Sequence, residues 1–294
     1  MISLYILGYK GLLVIKELSN DYLRNINCVI IGRDKNVQND FYEESKRVCM
    51  ERDLPFVERG NETVNQSKYL IMIGWRWLVI PKKNEKLLIF HDSILPKYRG
   101  FNPLTTALIN GDKKIGATII EGMEEYDTGN IISQKIVKIK YPIKIDDAIK
   151  IMGKIYSELF NDLMVKIISG KDLKSKKQDA KAVTYSLWRN AEDYFIDWNW
   201  SSKKIVRFIN AVGYPYDYAK SKVGNKIVVI KNAESTAKDI RITNRDVGKI
   251  IFKDDASITI VCGEGLLIVK QLFNQNGTQF SLKNKFRIKF GNGI

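Results

Sequence analysis

The chain has 294 residues, 45% apolar and 28% charged, with 48 Lys and Arg against 33 Asp and Glu for a formal charge of +15. This is enough to bury one large core or two modest ones. No stretch approaches the roughly 20 apolar residues of a membrane-spanning helix, and the apolar start Ile2–Leu7 has no basic leader or small-residue cleavage site, so a membrane or secreted protein is not expected. Three scattered cysteines (Cys28, Cys49, Cys262) and one histidine are too few for a disulfide framework or a Cys/His zinc site. The expectation is a reducing cytoplasm and no metal.

In chain order, short apolar runs alternate with helical patterns. Ile2–Leu7 precedes a helix over about Leu12 to Leu23, and Cys28–Ile31 precedes one around Asp40 to Glu51. Phe56–Val57, Leu70–Ile73 and Leu87–Phe90 are too short and too apolar for helices. This alternation predicts an α/β fold, a Rossmann-like, mostly parallel sheet covered by helices on both faces. Pro103 to Ile109 reads as a helix, and Gly116–Glu121 and Ile131–Ile139 as strands. The clearest helix follows. Ile145, Ala148, Ile149, Met152, Ile155, Leu159 and Leu163 form one stripe, with Asp146 and Asp147 in its first turn.

A Lys-rich, polar stretch from Gly170 to Lys181 reads as a surface connection and sets the expected boundary between domains 1–181 and 182–294. Beyond it, a helix over Ser201 to Val212 leads to strands at Lys226–Ile230, Val247–Phe252, Ser257–Val261, Leu266–Leu272 and Lys285–Phe290. Turn signals at Val223-Gly224-Asn225 and Asn276-Gly277 separate them. The second domain is therefore expected to be small, antiparallel and barrel-like. The lysines run along the whole chain, as in Lys171 to Lys181 and Lys283 to Lys289, and no nucleic-acid-binding signature accompanies them. The positive field suits an anionic small substrate, and no nucleic-acid or membrane partner is expected.

The lone histidine, His91, follows the run Leu87–Phe90 and precedes Asp92-Ser93-Ile94-Leu95-Pro96-Lys97-Tyr98-Arg99-Gly100. Substrates of open parallel sheets lie outside the carboxyl ends of the strands, so this histidine stands at the mouth of the expected site. Its unperturbed pKa lets an imidazole exchange protons near neutrality, although position alone does not separate a catalytic from an inert histidine. A second cluster, Glu124-Glu125-Tyr126-Asp127-Thr128-Gly129, is by itself an ordinary polar turn.

Together these segments resemble a family. His91 to Gly100, Asn110-Gly111-Asp112, Gly116-Ala117-Thr118 and Asp127-Thr128-Gly129 match, in order and spacing, the core of enzymes that use N10-formyltetrahydrofolate. Asp193-Tyr194-Phe195-Ile196-Asp197-Trp198, Arg207-Phe208-Ile209-Asn210-Ala211 and Tyr214-Pro215-Tyr216 are similar to the start of the second domain of methionyl-tRNA and sugar-amine formyltransferases. The resemblance implies attack of an amine on the formyl carbon, with His91 and Asp127 as the catalytic residues. It implies folate along Trp75, Arg76, Trp77 and Leu78 and against Tyr126 and Asp127, read chiefly through backbone groups. Core packing of Trp75 or Trp77 is the alternative, and Arg76 has the fork geometry for a phosphate.

One position departs from the family pattern. An asparagine that stabilises the oxyanion is expected two residues before the histidine, and the chain has Ile89 there. Asn102, Asn84 and protonated His91 are the candidate replacements.

The connection Gly32 to Asp40 is too short for the basic insertion of the tRNA enzymes. The resemblance is accordingly closest to bacterial enzymes that formylate dTDP-linked 3- or 4-amino-dideoxyhexoses for O-antigen or other surface polysaccharide. Arg76, Tyr98, Arg99, Phe101, Asn102, Arg207, Tyr214 and Tyr216 are the expected contacts for that nucleotide sugar, with Trp188, Arg189 and Tyr194 nearby in sequence. The turn Tyr214-Pro215-Tyr216 equally fits a purely packing role. A homodimer is also implied. Methionyl-tRNA formylation, hydrolysis of formyltetrahydrofolate and a catalytically silent homologue stay open.

Overall fold

Branched apolar side chains fill β1 (Ile2–Ile6), which ends where Gly8, at φ +66°, turns the chain into α1 (Gly8–Glu17). In the computed structural model, which describes residues 1–62, 67–236, 240–281 and 286–291, the alternation continues through β2 (Ile26–Ile31), α2 (Tyr42–Glu51), β3 (Phe56–Glu58), β4 (Tyr69–Ile73) and β5 (Lys86–His91). Next come the short β6 (Arg99–Gly100), α3 (Pro103–Asn110), β7 (Lys114–Glu121), β8 (Ile131–Lys138) and α4 (Ile145–Ile168). The main sheet has the order β3-β2-β1-β4-β5-β7-β8. Its first five strands are parallel, and β7 and β8 are antiparallel additions. The expected α/β sheet is thus present, and the order reverses beside β1, where the carboxyl ends of β1, β4 and β5 share an edge.

The chain divides into two compact units. The first comprises Met1–Leu104, Lys114–Ile139 and Asp147–Leu187. On its α4 side, Tyr156 and Phe160 pack on Phe90 with ring centroids 5.2 and 6.3 Å apart, and Gly153 lets Tyr9 and Leu13 of α1 approach. Of the stripe read from the sequence, Ala148, Met152, Ile155, Leu159 and Leu163 are buried on this face and Ile149 is half-buried, while Ile145, also buried, belongs to the second unit.

The second unit comprises Thr105–Lys113, Lys140–Asp146 and Trp188–Ile294. Its two early segments are pinned within it by Arg207 Nε donating to the Ile109 carbonyl (2.9 Å) and by Tyr141 Oη donating to the Leu108 and Asp112 carbonyls (3.3 and 3.0 Å). After β9 (Tyr185–Ser186), which pairs with β6 in the first unit, come α5 (Ser202–Ala211), β10 (Ala219–Val223), β11 (Lys226–Thr236), β12 (Ile250–Lys253), β13 (Ile258–Val261), β14 (Leu266–Asn274) and β15 (Phe290–Gly291). Their antiparallel sheet, β12-β13-β14-β11-β10-β15, curls around a core of Trp198, Phe208 and Phe290. Register shifts around Asn232 bend β11 against β14. This matches the expected curled β domain. Lys285, where the last predicted strand begins, lies outside the described residues.

Candidate active site

His91 closes β5 at the carboxyl edge of the sheet and is 6% exposed. Its Nε2 lies 2.8 Å from the Tyr98 carbonyl oxygen. A carbonyl can only accept, so Nε2 carries a hydrogen. Nδ1 faces Asp127 Oδ1 at 3.4 Å, so the pair is satisfied when one further proton lies between ring and carboxylate. That edge is longer than an ordinary N–H···O bond and is the looser side of the ring. The other carboxylate oxygen, Oδ2, accepts from the Gly100 backbone N–H at 2.8 Å.

Backbone strain collects here. Tyr98, Asn102 and Asp127 are non-glycine residues in the left-handed region, at φ 61°, 49° and 56°. Gly129 is dictated by space, because a Cβ there would lie 1.7 Å from the Glu121 carbonyl oxygen. At Gly100, at φ +95°, a Cβ would lie 2.6 Å from the Ser186 carbonyl oxygen. Both glycines bring a loop against another backbone, which sets Asp127 opposite His91.

The segment after His91 is anchored by groups with no role assigned from the sequence. Asp92 pairs with Lys10 of α1 and accepts from the Tyr156 hydroxyl at 2.5 Å. Burial would raise the Asp92 carboxyl, but Lys10, Tyr156 and the neighbouring imidazole outweigh it and hold it below the usual range. The Tyr156 phenol is pushed up, by burial first and then by Asp92. Fully buried Thr118 donates to the Ser93 carbonyl (2.7 Å) and accepts from Leu95 N–H and Gln134 Nε2. The stretch 170–181, read as a surface connection, is exposed along most of its length but is anchored at two points. Lys176 pairs with Ile131, and Gln178 is buried among Arg99, Asp127 and Gly129. Nothing in its Lys-rich composition signals this.

The remaining predicted residues separate into groups. Trp75 and Trp77 pack edge to face at 4.8 Å, and both crowd Gly32. Trp75 Nε1 is buried without a partner among the described residues. Arg76 pairs with Asp34 at 2.9 Å, and the Arg59 and Arg76 guanidinium groups lie 4.2 and 5.0 Å from the Trp77 ring. Leu78 and Tyr126 are exposed at 83% and 73%, and Tyr126 leans on Phe101 at 5.8 Å.

Tyr98, expected to touch substrate, has a buried side chain, and its carbonyl is what faces His91. Arg99 directs Nε and Nη2 to Gln178 Oε1. Arg207, Tyr214 and Tyr216 belong to the second unit, where the Arg207 Nε is engaged as described. Ile89 lies on β5 two residues before His91 and hence on the same face of the strand, so the register of the departure holds. Asn84 lies before β5 begins, roughly seven residues or about 23 Å of extended chain from His91, and so is removed as a replacement donor.

A buried His–Asp pair at the carboxyl edge of a mostly parallel sheet, followed by a separate antiparallel unit, defines a two-unit α/β protein. The Formyl transferase model matches residues 62–168, and the model of the Formyl transferase C-terminal domain matches residues 189–289. Methionyl-tRNA formyltransferase of Streptococcus thermophilus is 32% identical over 260 residues, 82% of this chain and 78% of that protein. The chain belongs to the formyl transferase family and is a formyltransferase.

Among solved structures, the sugar 3N-formyl transferase WlaRD, studied in the presence of dTDP and 5-N-formyl-THF, aligns at TM-score 0.68 with 19% identity, covering 92% of this chain and 96% of that one. The N-formyltransferase of Helicobacter canadensis, in complex with folinic acid and dTDP-3-aminofucose, aligns at 0.67 with 17% identity, covering 92% and 98%. At these identities the likeness is one of fold. Among the described residues, no three His, Cys, Asp or Glu side chains gather as metal ligands would, and no helix is long and apolar enough to cross a membrane.

Proposed function

We propose that this formyltransferase moves the formyl group of N10-formyltetrahydrofolate to the amine of a dTDP-linked 3- or 4-amino-dideoxyhexose, for O-antigen or other surface polysaccharide. The neutral amine adds to the formyl carbon to give a tetrahedral oxyanion, which collapses with cleavage of the bond to N10 and release of tetrahydrofolate. One proton leaves the amine and one reaches N10. His91 manages that exchange from its Nδ1 edge, and Asp127 opposite it holds the ring's orientation. Ile89 offers no amide to the developing oxyanion, so this reading requires a donor from elsewhere in the site.

The observation that carries the choice of acceptor is the connection between β2 and α2. It is short and folded on itself, with Asp34, Asn39 and Asp40 accepting from nearby backbone N–H groups. Its one arginine is held by Glu43 and lies 3.7 Å from the Tyr42 ring. It presents no basic arm to a nucleic acid. The exposed Phe101–Tyr126 pair beside Asp127 offers an aromatic face to a flat group. Release of tetrahydrofolate with a panel of thymidine- and uridine-diphosphate amino sugars tests the reading. Acceptor-dependent release with one sugar supports it; release without an acceptor identifies a hydrolase.

A second reading, formylation of methionyl-tRNA, is favoured by the identity to the Streptococcus thermophilus protein. Charged initiator tRNA belongs in the same panel. Tight, strongly salt-dependent binding with turnover would replace the sugar reading.

A further inference from the structure

Gln178 uses every hydrogen-bonding site of its amide. Oε1 accepts from Arg99 Nε and Nη2 at 3.1 and 2.9 Å, and Nε2 donates to the Asp127 and Gly129 carbonyls, both at 2.7 Å. The side chain is buried, at 8% exposure, and joins three separate stretches of chain. We propose that Gln178 is a positioning residue for formyl transfer, fixing the Asp127 peptide so that its carboxylate meets His91. The proposal rests on the reading of His91 and Asp127 as the proton-transfer pair.

The chemistry of the surroundings selects this side chain. Two guanidinium N–H groups need an acceptor, while two carbonyls a short distance away need a donor. A terminal carboxamide supplies both at once. Glutamate would satisfy Arg99 but turn an oxygen toward two carbonyl oxygens. Asparagine is one methylene too short, and alanine leaves four polar groups unpaired in a buried place.

Asp127 also needs outside support. It holds φ +56°, a region that non-glycine residues occupy only when their surroundings over-determine it. Two contacts do so: the Gly100 N–H on its carboxylate and Gln178 on its carbonyl. Arg99 immediately precedes Gly100, so the amide of Gln178 ties both ends of the Gly100–Asp127 hydrogen bond. Without it the peptide relaxes toward an unstrained conformation and the carboxylate swings away from the ring.

The test uses the whole 294-residue chain and its single histidine, whose imidazole 15N resonances need no assignment. Gln178→Ala and Gln178→Glu are compared with the parent and with Asp127→Asn. The expected result is a fall in kcat of about 10- to 100-fold, with KM for the folate changed little. The limb of the pH–rate profile that reports the His91–Asp127 pair moves, and the imidazole resonances shift toward those of Asp127→Asn. If kcat is unchanged, the proposal fails. If kcat falls while resonances and profile stay at the parent's, Gln178 serves the fold only and the proposal is again overturned.

Should neither variant fold, Arg99→Lys replaces the fork on the same amide while leaving Gln178 in place, and the same resonances decide. Asp127→Asn with normal turnover would sink the underlying reading of the site. An inactive Asp127→Asn beside an unaffected Gln178→Ala sinks only the role of Gln178.

Discussion

The segments that leave β4 and β5 emerge from neighbouring parallel strands at one edge of one sheet, yet they are built in opposite ways. After β5, residues 92–102 are tied at nearly every step. Leu95 N–H goes to Thr118, Tyr98 N–H and Arg99 N–H to Thr184, Gly100 N–H to Asp127 and Phe101 N–H to Ser186. After β4, Leu78 and Ile80 stand 83% and 79% exposed, and the Trp75 indole N–H is buried without a partner among the described residues. The difference matches the two tasks that the proposed function gives these segments. Proton transfer depends on atoms held to within a fraction of an ångström before substrate arrives, whereas an extended ligand is received by a surface whose polar and apolar groups are left unfilled.

The largest expected effect lies at the centre of the tied segment. His91→Gln and Asp127→Asn should each lower turnover by about 10²- to 10⁴-fold, with folate affinity, followed by tryptophan fluorescence, near that of the parent. Equal loss of binding and turnover would show that this pair receives ligand, and the contrast between the two segments would collapse.

Next in size is the anchor beneath the loop. Asp92→Asn leaves Lys10 without its charge partner in a site where both side chains are mostly buried, at 15% and 19% exposure. About 3 kcal/mol of unfolding free energy should be lost in denaturant titration. The pH dependence has a definite sign. Although burial opposes it, the Asp92 carboxyl is held below its ordinary value in the folded chain. Its contribution is therefore complete above the unfolded carboxyl's pKa and is lost as pH falls through the lower folded one. In the acid range the stability curve of Asp92→Asn should lack that component, and curves of identical shape would show that Asp92 is not the group responsible.

A smaller loss is expected at Thr118→Val. The substitution keeps the shape but leaves the Ser93 carbonyl, the Leu95 N–H and Gln134 Nε2 each short of a partner. About 2 kcal/mol of stability should go, and turnover should fall because the Ser93–Leu95 turn loosens. A stable variant with full turnover would mean that the loop is held without this hydroxyl.

How far the sequence carries differs along the same lines. The α4 stripe, the strands of the parallel sheet and the His91–Gly100 motif are legible because apolar period and motif spacing are local properties. α1 is the instructive miss. The apolar run suggests Leu12 to Leu23, whereas the helix is Gly8–Glu17, placed by Gly8 at φ +66° and finished by Arg52 from the end of α2, which donates to the Ile15 and Lys16 carbonyls in its last turn and to the Leu18 carbonyl just beyond. That shift brings Lys10 to Asp92. β10 has no apolar alternation, because its inward positions are the small Ala219 and Ser221 between lysines. Gln178 is invisible for a related reason: its partners lie 49 to 79 residues away, and no short-range pattern encodes them.

The smallest effect should appear in the open segment, at Trp75→Phe. The substitution keeps a ring against Gly32, Tyr5 and Trp77 and removes only the indole N–H and part of the ring. Two terms oppose each other in the free protein. Some buried apolar area is lost, while a donor without a partner no longer has to be kept from water. Unfolding free energy should therefore change by no more than about 1 kcal/mol. If that N–H is held in reserve for the folate, affinity should weaken by about fivefold, the worth of one neutral hydrogen bond, with kcat unaffected. A stability loss well above 2 kcal/mol with unchanged affinity would instead make Trp75 an ordinary core residue. The segment after β4 would then be a second structural support for the sheet edge rather than its ligand-receiving side.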